Sequence, residues 1–210
     1  MHKNLYDIVI DWIPEGSTVL DLGTGDGEFL ERLIKIRNVK GEGVEINPNL
    51  VTKCIERGLV VHQGDVLDGL DQYGNGVFDY ILLLGTMQEL LDPQKVVNEA
   101  FRVGKRVIVS YSNFAHLKAR LQMMFCGKAP VTSSLPSPWY KTPNLHFCSI
   151  LDFQDFCKDI GAKIVKSAYI NKAGQVKFLP NLFAEYAVSM LEKSSETPSR
   201  KTEISYDPAI

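Results

Sequence analysis

The sequence lacks most of what a secreted, membrane-spanning or nucleic-acid-binding chain would show. It holds 4 cysteines in 210 residues. These are Cys54, Cys126, Cys148 and Cys157, spaced too widely for a zinc site and with no Cys-x-x-Cys pair, so they read as buried thiols rather than a disulfide framework. No apolar run approaches about eighteen uninterrupted residues, and no apolar segment follows a positive start in Met1 to Tyr6. Neither a membrane span nor a signal peptide is expected, and a cytoplasmic protein follows. Charge of one sign is also missing: 23 Lys+Arg stand against 25 Asp+Glu, a net charge of −2. A phosphate-tracking protein carries a basic excess or stripe, so the balance argues against nucleic acid and against a peripheral membrane role.

What is present is a repeated switch between helical and strand periodicity, the pattern of a parallel sheet with crossover helices. Helices are expected over Asn4–Ile13, Glu28–Ile36, Pro48–Arg57, from Asp92-Pro93 to near Gly104, over Phe114–Phe125 and over Asp152–Ile160. Strands are expected over Thr18–Leu22, Gly41–Ile46, Val60–His62, Phe78–Leu84, Arg106–Ser110, Lys163–Ile170 and Phe183–Leu191. Phe78–Leu84 is the least polar strand and should be central. Regular alternation breaks from Tyr111 to Ile150, and a connection that long inside a compact domain is usually functional. One domain over 1–192 is expected, with 111–150 as a cap over a pocket. Residues 193–210, nearly devoid of apolar side chains, are expected to form a disordered tail.

The strongest local signal is Val19-Leu20-Asp21-Leu22-Gly23-Thr24-Gly25-Asp26-Gly27, a buried strand running into a glycine-rich turn and then a helix. Glycines there permit a tight turn and let a ligand approach the backbone. Dinucleotide spacing fails, because the glycines step by two and position 28 is Glu. No Gly-Lys-Ser/Thr follows, which excludes a P-loop. Asp21 and Asp26 would repel a pyrophosphate but favour an ammonium or sulfonium, so a cationic nucleoside is the expected ligand. Glu45 ends the second strand about twenty residues past Gly25, where a carboxylate can accept from both ribose hydroxyls. Asp65 could accept from an adenine amino group, with Val66 adding a backbone contact, while Gly85 and Thr86 end the central strand at the same edge. The alternative is that Asp21 and Glu45 cap helices and the glycines only shape a turn.

This arrangement resembles the class I S-adenosylmethionine (SAM) methyltransferases over about Ser17 to Ser110. The resemblance implies a Rossmann-like α/β fold, a seven-stranded mostly parallel sheet with helices on both faces. It also implies a site for SAM or S-adenosylhomocysteine (SAH). Asp21 and the turn of Gly23, Thr24, Gly25 and Gly27 would hold the methionine portion, Glu45 the ribose, and Asp65 with Val66 the adenine. Ile46 and Gly85 complete the set.

More individual residues follow: Arg102-Val103-Gly104, the run Ile108 to His116, Arg120-Leu121-Gln122, Pro130-Val131-Thr132, and Trp139-Tyr140-Lys141-Thr142-Pro143-Asn144-Leu145-His146. With the glycine turn, Gly43-Val44-Glu45 and Gly64-Asp65, they make the chain similar to the methionine biosynthesis protein W (MetW) family over roughly Val19 to Cys157. Thr24 replaces the family's common Cys, and Tyr111-Ser112 precedes Asn113-Phe114 where Phe-Pro is more usual. The resemblance implies a SAM- or SAH-binding protein of methionine biosynthesis that is a partner or activator of homoserine O-acyltransferase. The alternative is a SAM-dependent methyltransferase acting on an unidentified small molecule held under the Trp139–His146 loop.

No Asn/Asp-Pro-Pro-Tyr follows the central strand, which weighs against amide or adenine methylation. His116 and His146 could serve as general bases or could bond loop backbone. Trp139 and Tyr140 could close over a ligand, face a partner or pack in the core. The helix from Phe114 is apolar around much of its circumference, so it is either buried beneath the loop or a contact face.

Overall fold

Most periodic segments form the element their spacing dictates, and the order of those elements sets the sheet. The computed structural model describes residues 3–194. The chain runs α1 (Lys3–Trp12), β1 (Thr18–Leu22), α2 (Glu28–Arg37), β2 (Lys40–Glu45), α3 (Pro48–Glu56), β3 (Val60–Gln63), α4 (Val66–Asp71) and β4 (Phe78–Leu84). After a 3-10 turn at Met87–Glu89 come α5 (Pro93–Val103), β5 (Gly104–Ser112) and α6 (Leu117–Cys126). The last elements are α7 (Ile150–Asp159), β6 (Ala162–Asn171), β7 (Gly174–Gln175), α8 (Pro180–Phe183) and β8 (Tyr186–Lys193). Helix starts carry their own signals. The Asn47 side chain accepts from the Asn49 amide ahead of α3, Asp92 accepts from Lys95 ahead of α5, and Ser149 and Asp152 form a reciprocal capping box on α7. Each such cap is worth about 1 kcal/mol.

The strands form one sheet in the order β3-β2-β1-β4-β5-β8-β6-β7. β3 through β5 are mutually parallel, and β8 then pairs antiparallel with both β5 and β6. The chain therefore winds outward from β1 to β3, then returns to place β4 on the other side of β1. That reversal is a topological switch point, where open α/β sheets leave a crevice beyond the strands' carboxyl ends. β4 lies inside the sheet, as its apolar sequence requires.

Alternation along the strands sends side chains to two layers. Val19, Leu82, Ile108 and Val188 pack with Leu5 and Val9 of α1, with Ile13 just beyond it, and with Phe29 and Leu33 of α2. Leu20, Ile81, Leu83 and Val107 face the other way, against Leu70 of α4, Val97 and Ala100 of α5 and Phe153 of α7. Each fully buried leucine or valine contributes about 1.5–3 kcal/mol of transfer free energy.

Several expectations are corrected. Among the described residues the sheet has eight strands rather than seven, because two-residue β7 pairs with the end of β6. Phe183 ends α8 instead of starting the last strand, since Pro180 presets the φ of a first helical turn. Lys193, placed in the tail, pairs with Ala162 as the last residue of β8, and residues 195–210 lie outside the described residues. Cys54 and Cys157 are buried thiols, but Cys126 is exposed and Cys148 only partly covered. α6 begins three residues later than expected, at Leu117, and is not a buried helix: Ala119 is its one buried residue, while Met124 and Phe125 are 68% and 74% exposed.

Candidate functional site

The turn after β1 is built from the strand's own burial. Asp21, on the last buried stretch of β1, is 3% exposed and accepts from the Thr24 hydroxyl at 2.8 Å. Burial pushes its carboxyl up to about 6, opposed by the Thr24 hydrogen bond and reinforced by the charge of Glu45. The Gly23 and Thr24 amides donate to the Val44 carbonyl at 2.8 and 3.0 Å, which stitches the turn to the end of β2. Glu45 is itself buried and bridges two segments. The Gly25 amide donates to its Oε2 and the Asn47 amide to its Oε1, both at 2.8 Å. The helix cap at α3 belongs to Asn47, so Glu45 is held as a crosslink between turn and strand end rather than as a cap. A carboxylate fixed by two amides retains further lone pairs for a ligand's hydroxyls.

Two glycines of the turn differ in kind. At Gly25, with φ 63°, a Cβ would meet nothing within 4 Å and would point into open space. At Gly27, with φ 78°, it would lie 2.4 Å from Leu59 Cδ1, so that glycine serves helix packing. Asp26 is less free than the sequence suggests, because Arg57 pairs with its carboxylate at 3.3 Å and with its carbonyl at 2.8 Å.

Beyond these elements lies a chamber of about 670 Å³ at the carboxyl ends of β1, β2, β3 and β4. Gly23, Thr24 and Gly25 line one side, Glu45 and Ile46 the next, and Asp65, Val66 and Gly85 the rest. Asp21 and Gly27 do not line it: Asp21 sits behind Thr24, and Gly27 faces Leu59. Asp65 also caps α4, accepting from the Leu67 amide at 2.9 Å. Sequence reasoning missed Tyr6 and Glu89, which tertiary folding brings to the same chamber from α1 and from the turn after β4. Burial, with the charges of Asp21, Glu28 and Asp26, raises the Tyr6 phenol to about 12. Burial and then the charge of Glu45 also raise the Glu89 carboxyl above its ordinary value. The chamber is acidic, with the volume of a nucleoside-sized ligand site.

Neither candidate base, His116 or His146, lines this chamber, and Tyr140 does not line it either. His116 is buried, its Nδ1 accepts from the Lys118 amide at 3.3 Å ahead of α6, and burial lowers its pKa. His146 lines a separate, largely apolar groove beside Phe147, Phe153 and Phe156. Tyr140 and Trp139 are 66% and 73% exposed and meet edge to face at 5.8 Å, so neither packs in the core.

Buried Gln88 is one of the residues that fasten the cap. Its carbonyl accepts from the Leu145 and His146 amides at 2.8 and 3.1 Å, while its side-chain oxygen accepts from the Ser112 amide at 2.9 Å. The turn that contributes Glu89 to the chamber therefore also holds the cap loop to β5. No helix among the described residues is long and apolar enough to cross a membrane.

Comparison with known proteins agrees with this architecture. The family described as methionine biosynthesis protein MetW matches residues 3–191. The bifunctional methionine biosynthesis protein MetXA/MetW of Rhodopirellula baltica is 29% identical over 193 residues, 86% of this chain and 31% of that protein. Ajmaline N-methyltransferase of Rauvolfia serpentina is 33% identical over 93 residues, 40% of this chain and 31% of that protein. The chain thus spans about a third of the length of these curated relatives. Among solved structures, a SAM-dependent methyltransferase from Thermotoga maritima superimposes with a TM-score of 0.65 at 21% identity, covering 91% of this chain and 88% of the other. That likeness shows the fold: the α/β architecture of SAM-dependent methyltransferases, with a mostly parallel sheet.

Proposed function

The chain belongs to the methionine biosynthesis protein MetW family, and from that premise we propose that it binds SAM or SAH and acts as a partner or activator of homoserine O-acyltransferase. The observation that carries the partner role is the Rhodopirellula protein, which joins MetXA and MetW in one polypeptide. Fusion of two units in one relative supports their association as separate chains elsewhere. The ligand reading rests on the acidic chamber at the switch point, with Glu45 fixed between the Gly25 and Asn47 amides and positioned to receive a ribose diol. A sulfonium or ammonium suits such surroundings better than a phosphate does. In this reading Glu45 orients the nucleoside, Asp65 and Val66 face the adenine, and Asp21 acts through Thr24 on the turn that holds the amino-acid end.

The two roles join by linkage. A ligand changes the affinity of a complex only if it binds the free and complexed states differently, and the coupling is then reciprocal. The test is acyltransferase activity, using the enzyme of the same organism, with and without this protein and with and without SAM. Stimulation supports the partner role, and SAM dependence supports sensing. No effect in any combination sinks it.

A second reading, methyl transfer to a small molecule, is favoured by the resemblance to ajmaline N-methyltransferase across 93 residues. Such transfer needs chiefly in-line placement of an acceptor, so the absence of a histidine from the chamber does not weigh against it. Labelled SAM supplied to a cell extract should then yield a methylated product that the Glu45→Ala variant fails to make.

A further inference from the structure

Beneath the cap, a second chamber of about 280 Å³ adjoins the first and shares Gly85 and Glu89 with it. Its walls come from the end of β5 and from the cap loop, and they differ in chemistry from the apolar groove at His146. Ser110, Ser112, Ser134, Thr142 and Asn144 line it, and among the described residues Glu89 is its one carboxylate and no Lys, Arg or His lines it. The Ser112 hydroxyl donates to the Ser134 carbonyl at 2.9 Å, which leaves its oxygen able only to accept. The Thr142 oxygen already receives the Asn144 amide at 3.1 Å. An anion entering here would meet a carboxylate and no cation. Tyr111, Pro136, Pro143 and Tyr186 give a guest's carbon chain an apolar wall, but a wholly apolar guest would strip Glu89 and the serine hydroxyls of water without replacing their hydrogen bonds.

We propose that this cap chamber binds a small hydroxylated amine, its nitrogen directed at Glu89 and its hydroxyl at the serine and threonine oxygens. The charge on Glu89 then serves both chambers: the same carboxylate that faces a cationic nucleoside on one side attracts an ammonium on the other. The inference rests on the nucleoside reading only for what occupies the far side of Glu89. Because Gln88 ties the cap loop to β5 beside that carboxylate, an occupant of the chamber touches the element on which cap position depends.

The test is saturation-transfer NMR on the full chain with ethanolamine as probe and glycolate as its anionic counterpart of similar size. Signal should appear for ethanolamine and be about tenfold weaker for glycolate, the equivalent of one charge-assisted hydrogen bond. Ser137 lines the cap chamber and not the nucleoside chamber, so Ser137→Phe should fill the space and abolish the ethanolamine signal while SAH binding by calorimetry is unchanged. Glu89→Gln should weaken ethanolamine about tenfold, and it carries the test should Ser137→Phe fail to fold. Equal signals for the two probes, or an ethanolamine signal that survives both substitutions, overturns the proposal. A parent chain that binds ethanolamine but not SAH sinks the nucleoside reading alone and upholds this one.

Discussion

Asp21 places a carboxylate where a folded protein least tolerates one, and its protonation gives the site a pH signature. Its folded value is raised from 3.8 to about 6. Between those values the folded chain binds the proton more tightly than the unfolded chain does. The stability associated with the group is therefore fully present below about 3.8 and is lost as pH rises through about 6. A shift of this size corresponds to about 3 kcal/mol as an upper figure. Asp21→Asn keeps an oxygen to accept from Thr24 and has no charge to bury. It should be more stable than the parent by about 1–3 kcal/mol at pH 7.5, with the gap closing at pH 4, as read from urea midpoints. A gap that is the same at both pH values would show that burial of this charge is not what destabilises the turn. Glu45 has the opposite character, because two backbone amides depend on it. Glu45→Ala should cost about 1–3 kcal/mol of stability by orphaning them. It should also weaken SAM binding at least about tenfold under conditions where the variant remains folded, measured by calorimetry.

At the scale of the element, the glycine turn separates into a ligand half and a packing half. Gly25→Ala sets a methyl in the open chamber, and Gly27→Ala drives one against Leu59. The first should weaken SAM binding with a stability loss of about 1 kcal/mol, and the second should cost about 1–3 kcal/mol in stability with the chamber walls otherwise intact. Thermal melts with and without SAH distinguish them. Equal ligand-induced stabilisation of both variants would refute the division. This turn was legible in sequence because its signals are local: β1 and β4 occupy the residues their apolar runs mark, and Glu45 falls where the strand ends. Four-residue β3 was legible too, but the short elements α4, β7 and α8 were not. α4 spans six residues and contains Gly69, which looks like a helix breaker until Val44 is seen 2.7 Å from where its Cβ would stand. Tyr6 and Glu89 escaped for another reason. Nothing near them in the chain signals a ligand, and only the packing of α1 and the turn after β4 brings them to the chamber. The candidate histidines were singled out by residue type, which says nothing about position, and they lie outside the nucleoside chamber.

For the whole molecule, the sheet and its two helical layers account for the apolar residues of the first 110 positions better than for those of the cap. The last turn of α6 carries Met123, Met124 and Phe125, all exposed, and the loop beyond it leaves Trp139 73% exposed. Large aromatic and methionine side chains left in water are unfavourable for an isolated chain, and they are the types that dominate binding energy in protein interfaces. If the acyltransferase covers this surface, a charge placed there must be desolvated without a partner, at a cost of several kcal/mol. Met124→Asp combined with Phe125→Asp should then reduce acyltransferase stimulation at least about tenfold. SAH affinity should be unchanged, because neither residue lines the nucleoside chamber. The two results together carry the argument. Lost stimulation with intact SAH binding assigns the interface to the cap's outer face and leaves the ligand site independent of it. Stimulation that survives both substitutions moves the interface off α6, and the end of that helix is then an apolar face without a role in the complex.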